Sequence, residues 1–124
     1  MPGLPVSPLP LAPDPSRGTP GAVVGYPGEG AFSAVAARLG TTGEVSSQDS
    51  YGRGPIDRLM TSFRGNVIGG NSGGPVIDGE GRVLTTVFAS AVDSDPPEGL
   101  GVPNSITEKV LERAGGEVDT GPCA

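Results

Sequence analysis

Short apolar runs with alternating polar positions recur along the chain from residue 21 onward, and glycine- or proline-rich stretches separate them. Runs of this length and period are typical of β-strands bounded by turns. Six strands are predicted, at Ala22–Tyr26, Phe32–Leu39, Asp57–Phe63, Pro75–Asp78, Val83–Ala91 and Gly99–Val102. Turn signals lie between them at Pro27-Gly28, Thr42-Gly43, Gly79–Gly81 and Asp95–Pro97. The alanines of the second run also suit a helix, but its neighbours favour a strand. The pattern predicts an all-β fold, an antiparallel barrel or sandwich.

One helix is predicted after the last strand, over residues 105–114. Ser105 and Glu108 stand three positions apart, as in a capping box, where the two side chains bond free amides of the first helical turn. The positions that follow form one apolar stripe at helical spacing, made of Ile106, Val110, Leu111 and Ala114. Gly115-Gly116 supply a stop signal. The sequence therefore predicts one short surface helix at the end of the β domain.

Proline is concentrated at the N-terminal end, where eight of the 14 prolines lie within residues 1–27. Residues 1–20 are interpreted as an extended, partly polyproline linker, with a proline-motif ligand for a recognition domain as the alternative. Residues 21–124 are interpreted as the domain. The 22 glycines exclude an all-helical fold, because each costs about 1 kcal/mol in a helix interior.

Charge and apolar content exclude two classes of partner. The net charge of −6 and the pI near 4.4 oppose nucleic-acid binding, which needs a positive surface. No apolar run approaches the roughly 18 residues of a membrane span, and residues 1–16 lack the basic start of a signal peptide. We expect neither a membrane span nor a targeting signal within these residues.

The chain contains no histidine and a single cysteine, Cys123. These counts exclude a Ser-His-Asp triad or a Cys-His dyad contained wholly within this chain. They also exclude a His-ligated metal site, a four-cysteine cluster and an internal disulfide. No cofactor or metal is predicted. Cys123 is either a free thiol or a half-cystine whose partner lies outside this chain.

Residues 65–79 hold a glycine-rich cluster that ordinary turns do not explain. Its centre, Gly70-Asn71-Ser72-Gly73-Gly74-Pro75, leads directly into a predicted strand. A serine between glycines can expose its hydroxyl on a tight turn, because glycine adopts positive φ. The amides of Gly70 and Ser72 can converge on an anion, and one such donor stabilises a tetrahedral oxyanion by about 3–4 kcal/mol. The cluster indicates a nucleophilic serine, with a structural turn in an unrelated β protein as the alternative.

This motif resembles the nucleophile motif of the trypsin-like (chymotrypsin-fold) serine proteases, Gly-Asp/Asn-Ser-Gly-Gly-Pro. The stretches Val24–Pro27, Asp49–Gly52 and Gly81–Phe88 and the final helix are similar to the second barrel of one bacterial branch. That branch is the membrane-anchored, extracytoplasmic acid-resistance protease of actinobacteria, which has colicin-V-production-type helices at its N-terminus. The resemblance implies a six-stranded antiparallel barrel with one short C-terminal helix.

The resemblance also implies a role for each matching residue. Ser72 is the acyl-accepting nucleophile, and the amides of Gly70 and Ser72 form the oxyanion hole. Asn66, six residues before the serine, lies at the base of the primary specificity pocket, and its neutral amide implies a preference for small or aliphatic side chains. Phe88-Ala89-Ser90 is the strand on which a polypeptide substrate pairs by β-augmentation.

Several departures from the family pattern decide what this chain can do. The His and Asp of the triad belong to the first barrel of the fold, and this chain has no His. Without an imidazole base, Ser72 is an ordinary alcohol. Lys109, the only lysine, is predicted on the final helix and not beside Ser72, which argues against a Ser-Lys dyad. Asn71 stands where digestive members have an Asp that pairs with a new N-terminus, so activation by that ion pair is not expected.

We therefore expect the nucleophile-bearing half of a serine endopeptidase, inactive by itself, whose first barrel is missing. The resemblance implies an extracytoplasmic location for the full-length parent and a disulfide from Cys123 to the missing barrel. The alternative is a non-catalytic β module that keeps the peptide-binding groove and works as a binding or scaffold protein.

Overall fold

Six antiparallel strands close into a barrel that is followed by one helix. The computed structural model describes residues 3–48, 54–91 and 94–116, together with 119 and 121. The strands are β1 Pro20–Gly25, β2 Ser33–Gln48, β3 Pro55–Arg64, β4 Pro75–Ile77, β5 Val83–Ser90 and β6 Glu98–Pro103, and the helix is α1 Asn104–Arg113. The neighbour order is β1-β2-β3-β6-β5-β4, and pairing of β1 with β4 closes the ring. All six predicted strands, the barrel and the terminal helix are confirmed.

Strand β2 is much longer than the sequence predicts. It runs through Thr42-Gly43, so the turn predicted there is wrong. Thr42 and Gly43 pair with Thr61 and Met60 of β3, and a register shift between Leu39 and Thr42 takes up the intervening residues. Such a bulge bends a strand without reversing it. The Thr42 and Thr61 hydroxyls, 2.7 Å apart, share a hydrogen bond across the pair.

The barrel interior is filled by the inward-facing residues of five strands. The buried cluster comprises Ala12, Val23, Ala37, Leu39, Phe63, Val76, Leu84 and Val87. Phe63 lies opposite Gly99 of β6, and a side chain at Gly99 would overlap the Phe63 ring. Period-2 alternation thus brings one face of each strand inward, and a glycine makes room for the largest core side chain.

The proline-rich segment packs on the barrel along its second half. Ala12 is 3% exposed, its amide donates to Val83 O at 2.8 Å, and the Val83 amide donates to Pro10 O at 2.8 Å. The side-chain amide of Asn104 donates to Ala12 O and Val83 O, each at 2.9 Å. Residues 10–12 therefore pack on the barrel, and the interpretation of residues 1–20 as a linker stays a prediction.

Helix α1 begins one residue earlier than predicted and without a capping box. Its N-cap is Pro103, and no side chain bonds the free amides there. The buried contacts of Asn104 hold the chain in helical geometry already at that residue, so Ser105 lies inside the helix. Val110 and Leu111 of the predicted stripe are each 61% exposed, so these two side chains do not pack on the barrel.

The turn between β4 and β5 is organised around Asp78. One carboxylate oxygen accepts hydrogen bonds from the amides of Arg82 and Glu80, and the other accepts one from Arg82 Nε, all at 2.9 Å. The bond from the Arg82 amide contributes most to lowering the pKa of Asp78 below its ordinary value of 3.8, against a desolvation that raises it. The turn therefore favours the charged carboxylate.

We expect Asp78→Asn to destabilise the fold at neutral pH and to have little effect in strong acid. A carboxyl with a lowered folded-state pKa stabilises the fold above its unfolded pKa, and that contribution is lost as the pH falls through the folded value. Urea midpoints of the chain and the variant across this pH range measure the difference. Glu80→Gln is the control, since Glu80 is an exposed ion-pair partner of Arg82 at 3.4 Å. A difference that is constant with pH would contradict the assignment.

Candidate active site

The loop between β3 and β4 carries Ser72 on the molecular surface. Gly70 and Gly73 both have positive φ, 101° and 85°, so the chain reverses direction on either side of the serine. A side chain at Gly70 would also come within 2.9 Å of Tyr26 O. Position 70 therefore requires glycine, both for its positive φ and because there is no space for a side chain beside Tyr26 O. Ser72 is exposed between them, as the sequence predicts.

Backbone hydrogen bonds attach this loop to two neighbouring elements. The Gly28 amide donates to Gly69 O at 2.7 Å, which ties the loop to the turn after β1. On the other flank the Gly73 amide donates to Val87 O and the Val87 amide to Gly74 O, both at 2.8 Å. The serine is therefore held between two fixed points of the barrel.

Asn71 is buried directly beneath the loop. It is 3% exposed, and its side-chain oxygen faces Gly25, where a side chain would come within 2.7 Å of it. Among the described residues that oxygen has no hydrogen-bond partner. The expectation that Asn71 forms no ion pair with a new N-terminus stays a prediction.

The Ser72 hydroxyl faces the backbone of β5. Its Oγ donates to Phe88 O at 3.5 Å, and this is its only hydrogen bond within the described ranges. Lys109 lies on the exposed side of α1, the helix that packs against β5 and β6. The structure therefore places no base against the serine in the part of the chain it describes.

Two amides next to the serine side chain are available to a ligand. The loop's own turns engage the amides of Asn71, Gly73 and Gly74, which donate to Ile68 O, Val87 O and Asn71 O. In the same described region, neither Gly70 nor Ser72 uses its amide in a hydrogen bond with the protein. These are the two donors that the sequence singles out.

The end of β5 offers a free strand edge next to Ser72. Ala89 and Ser90 pair with Leu100 and Gly99 of β6 on one side. On the opposite side, pairing with the β4 segment stops at Val87 in the described structure. The backbone of Phe88-Ala89-Ser90 can therefore accept an added strand, as the sequence analysis predicts for a substrate.

Sequence reasoning missed Arg58, which approaches this edge from β3. Its guanidinium carbon lies 5.4 Å from the centroid of the Phe88 ring, and Phe88 is 42% exposed. The Arg58 Nε atom is buried and has no hydrogen-bond partner among the described residues. No local motif signals this contact, because the two residues lie on different strands 30 positions apart.

Asn66 lies apart from the elements just described. It is exposed and lines a cavity of about 310 Å³ with Ala36–Arg38, Arg64 and Pro96-Pro97. Ser72 and the end of β5 are not among the residues that line this cavity. The assignment of Asn66 to a specificity pocket stays a prediction.

The remaining predictions concern Cys123, the stretch Asp49–Gly52, metal binding and membrane spans. Cys123 and the stretch Asp49–Gly52 lie outside the described residues. In residues 3–48, 54–91 and 94–116, no group of three His, Cys, Asp or Glu is placed to hold a metal ion. In the same ranges, no helix is long and apolar enough to cross a membrane.

A closed antiparallel barrel with a serine exposed between positive-φ glycines, beside a free strand edge, is the arrangement of the trypsin-like barrel class. The chain matches the trypsin-like peptidase domain over residues 1–84, a range that includes the serine loop. The chain belongs to the trypsin-like peptidase family.

Two proteins from Mycobacterium tuberculosis resemble the chain in sequence. Serine protease Rv3671c and serine protease MT3772, from two strains, are each 42% identical to it over 95 residues. That alignment includes 75% of this chain but only 24% of either relative. The chain thus spans about a quarter of the length of the curated relatives that it matches.

Solved structures extend the likeness to nearly the whole chain. The Rv3671c protease in its active form has a TM-score of 0.86 and 36% identity, and the match covers 97% of this chain and 53% of that one. The inactive form has a TM-score of 0.77 at the same identity, over 93% and 59%. A serine endoprotease from Yersinia pestis, at 18% identity and a TM-score of 0.64, shares the fold.

Proposed function

We propose that this chain is the nucleophile-bearing barrel of a serine endopeptidase and that Ser72 forms the acyl-enzyme. The observation that carries the proposal is the serine loop. The Ser72 hydroxyl is exposed, and the amides of Gly70 and Ser72 are free of protein acceptors in the described structure. A serine protease needs this combination of nucleophile and oxyanion donors.

The proposed chemistry divides between this barrel and another. Ser72 Oγ attacks the carbonyl carbon of a peptide bond, and the carbonyl oxygen takes the negative charge. The Gly70 and Ser72 amides donate to that oxygen, and each donor lowers the barrier by about 3–4 kcal/mol. The Oγ proton must go to an imidazole, which then protonates the leaving amine. The chain has no His, so we assign the His and Asp to a first barrel outside these residues and expect this chain alone to be inactive.

The substrate is proposed to be a polypeptide that pairs with Phe88-Ala89-Ser90. The unpaired edge of β5 beside Ser72 supports this, because an extended peptide can add to such an edge. The proposed preference for neutral, small or aliphatic side chains rests on the family role of Asn66. Cleavage strictly after Arg or Lys would overturn that preference.

The remaining parts of the proposal concern the full-length parent. By resemblance to the acid-resistance proteases of actinobacteria, we infer a membrane-anchored, extracytoplasmic enzyme. Its Cys123 would form a disulfide with the first barrel, which an oxidising compartment permits. Non-reducing peptide mapping of the full-length parent would identify the partner of Cys123.

A second candidate function is a peptide-binding module without catalysis. The missing His and the free edge at Phe88-Ala89-Ser90 favour it, because neither binding by strand addition nor scaffolding needs a base. The two functions are distinguished by whether the chain hydrolyses peptides once a His-bearing barrel is joined to it.

A hydrolysis assay on two polypeptides separates them. One is the 124-residue chain, and the other joins it to a first barrel that bears His and Asp, taken from a trypsin-like relative such as the Rv3671c protease. We expect the joined polypeptide to cleave a mixed peptide library after small or aliphatic residues and the chain alone to cleave nothing. Peptide binding by both polypeptides, with cleavage by neither, would favour the module.

A further inference from the structure

Three arginines converge on one cavity away from the serine loop. Arg17, Arg38 and Arg64 line a cavity of about 350 Å³ on the outside of the barrel, and no residue of the serine loop lines it. They are three of only eight Lys and Arg residues in a chain of net charge −6. Such a concentration of scarce cations in one cavity points to an anionic ligand.

The backbone holds two of these arginines in place. The Gly18 amide donates to Leu39 O at 2.8 Å and the Leu39 amide donates to Thr19 O at 2.9 Å, so the segment that carries Arg17 is fastened to β2. Arg38 Nη1 donates to Gly18 O at 2.7 Å, which orients its guanidinium. The Arg38 guanidinium and the backbone beside Arg17 are therefore positioned before any ligand arrives, which lowers the entropic cost of binding.

The arrangement of these charges is unfavourable without a ligand. Arg38 and Arg64 stand directly opposite each other on β2 and β3, and like charges in that position destabilise a strand pair. Glu98 stands opposite Arg64 on β6. Nevertheless, the ion pairs within the described residues involve only Arg82. Glu98 thus offsets part of the positive charge, but no described ion pair joins it to either arginine.

We propose that this cavity binds a phosphate-class dianion. Three guanidiniums and the Glu98 carboxylate leave a charge of about +2 around the cavity. A phosphate monoester carries about −1.5 to −2 at neutral pH, which matches that charge. A planar guanidinium group binds two oxygens of one phosphate through two parallel hydrogen bonds.

Titration with inorganic phosphate tests this site in the intact chain. At ionic strength held constant with chloride, we expect saturable binding with a Kd of about 1 mM or lower, and a melting temperature that rises as phosphate is added. Arg64→Gln should weaken binding at least about tenfold. Arg113→Gln, on the exposed end of α1, is the matched control and should leave binding unchanged.

The stability of the variant without phosphate distinguishes a binding role from a structural one. Because Arg64→Gln removes the repulsion from Arg38, its melting temperature without phosphate should equal or exceed that of the parent chain. A lower value would mean that Arg64 is structural and would overturn the proposal. The proposal would also be overturned if chloride or acetate raised the melting temperature of the parent chain as much as phosphate does. The same holds if phosphate raised the melting temperature of the variant as much as that of the parent chain.

A parallel titration with glycerol phosphate identifies the source of the ligand. Binding of both compounds with equal affinity indicates free phosphate, and tighter binding of the monoester indicates a phosphate carried on a larger molecule. Either result supports the proposal, whereas binding of neither compound contradicts it. The test reads binding and not hydrolysis, so its failure would leave the proposed role of Ser72 unaffected.

Discussion

Replacing Ser72 with alanine is expected to lower kcat for peptide hydrolysis by about 10⁶-fold in the polypeptide that joins this chain to a His-bearing barrel. The serine supplies the attacking oxygen, and no other described hydroxyl occupies the loop whose flanking amides are free. Initial rates with a saturating peptide substrate give the comparison. Melting temperatures of both proteins show whether the fold is retained, as we expect for an exposed side chain.

Ser105→Ala is the matched control for this substitution. Ser105 is exposed on α1 and makes no cap contact with the helix start. Its removal should change neither kcat nor stability. A Ser72→Ala protein that keeps most of its activity would show that the nucleophile lies elsewhere.

Replacing Gly70 with alanine is expected to lower kcat by about 10²–10³-fold, the usual cost of losing one oxyanion donor. Gly70 has a φ of 101°, and a Cβ there would lie 2.9 Å from Tyr26 O and 3.2 Å from Gly28 N. The loop must shift to accommodate it, and the shift moves the amide of residue 70 away from the serine. KM should change much less than kcat, because the donor acts on the transition state.

Gly69→Ala provides the control one residue away. A side chain at Gly69 meets no atom within 4 Å, and its φ lies outside the left-handed region. The two variants therefore differ in strain and crowding while the chemical change is the same. Equal activity of the two would contradict the assignment of the Gly70 amide.

The strands were predictable because each is a local pattern. Alternation and glycine punctuation located all six, and the nucleophile motif around Ser72 is a run of neighbouring residues whose chemistry is local. The turn at Thr42-Gly43 was predicted wrongly because its local signal is overridden by pairing with β3. The capping box at Ser105 failed for a similar reason, since Asn104 is fixed by contacts with Ala12 and Val83.

The features that could not be predicted depend on which strands become neighbours. Arg58 reaches Phe88 only because β3 and β5 both flank β6 in the ring. Arg38 and Arg64 become direct neighbours only through the register of β2 on β3. The sequence contains each of these residues, but their spacing along the chain carries no sign of the contact.

The central claim is that Ser72 is a nucleophile which a His-bearing first barrel activates. Its most direct test is mass spectrometry after treatment with a fluorophosphonate, which phosphonylates an activated serine Oγ and releases fluoride. We predict modification of the peptide that contains Ser72 in the joined polypeptide, and no modification of the 124-residue chain alone. Labelling of the isolated chain at Ser72, or labelling of the active joined polypeptide at another serine, would contradict the claim.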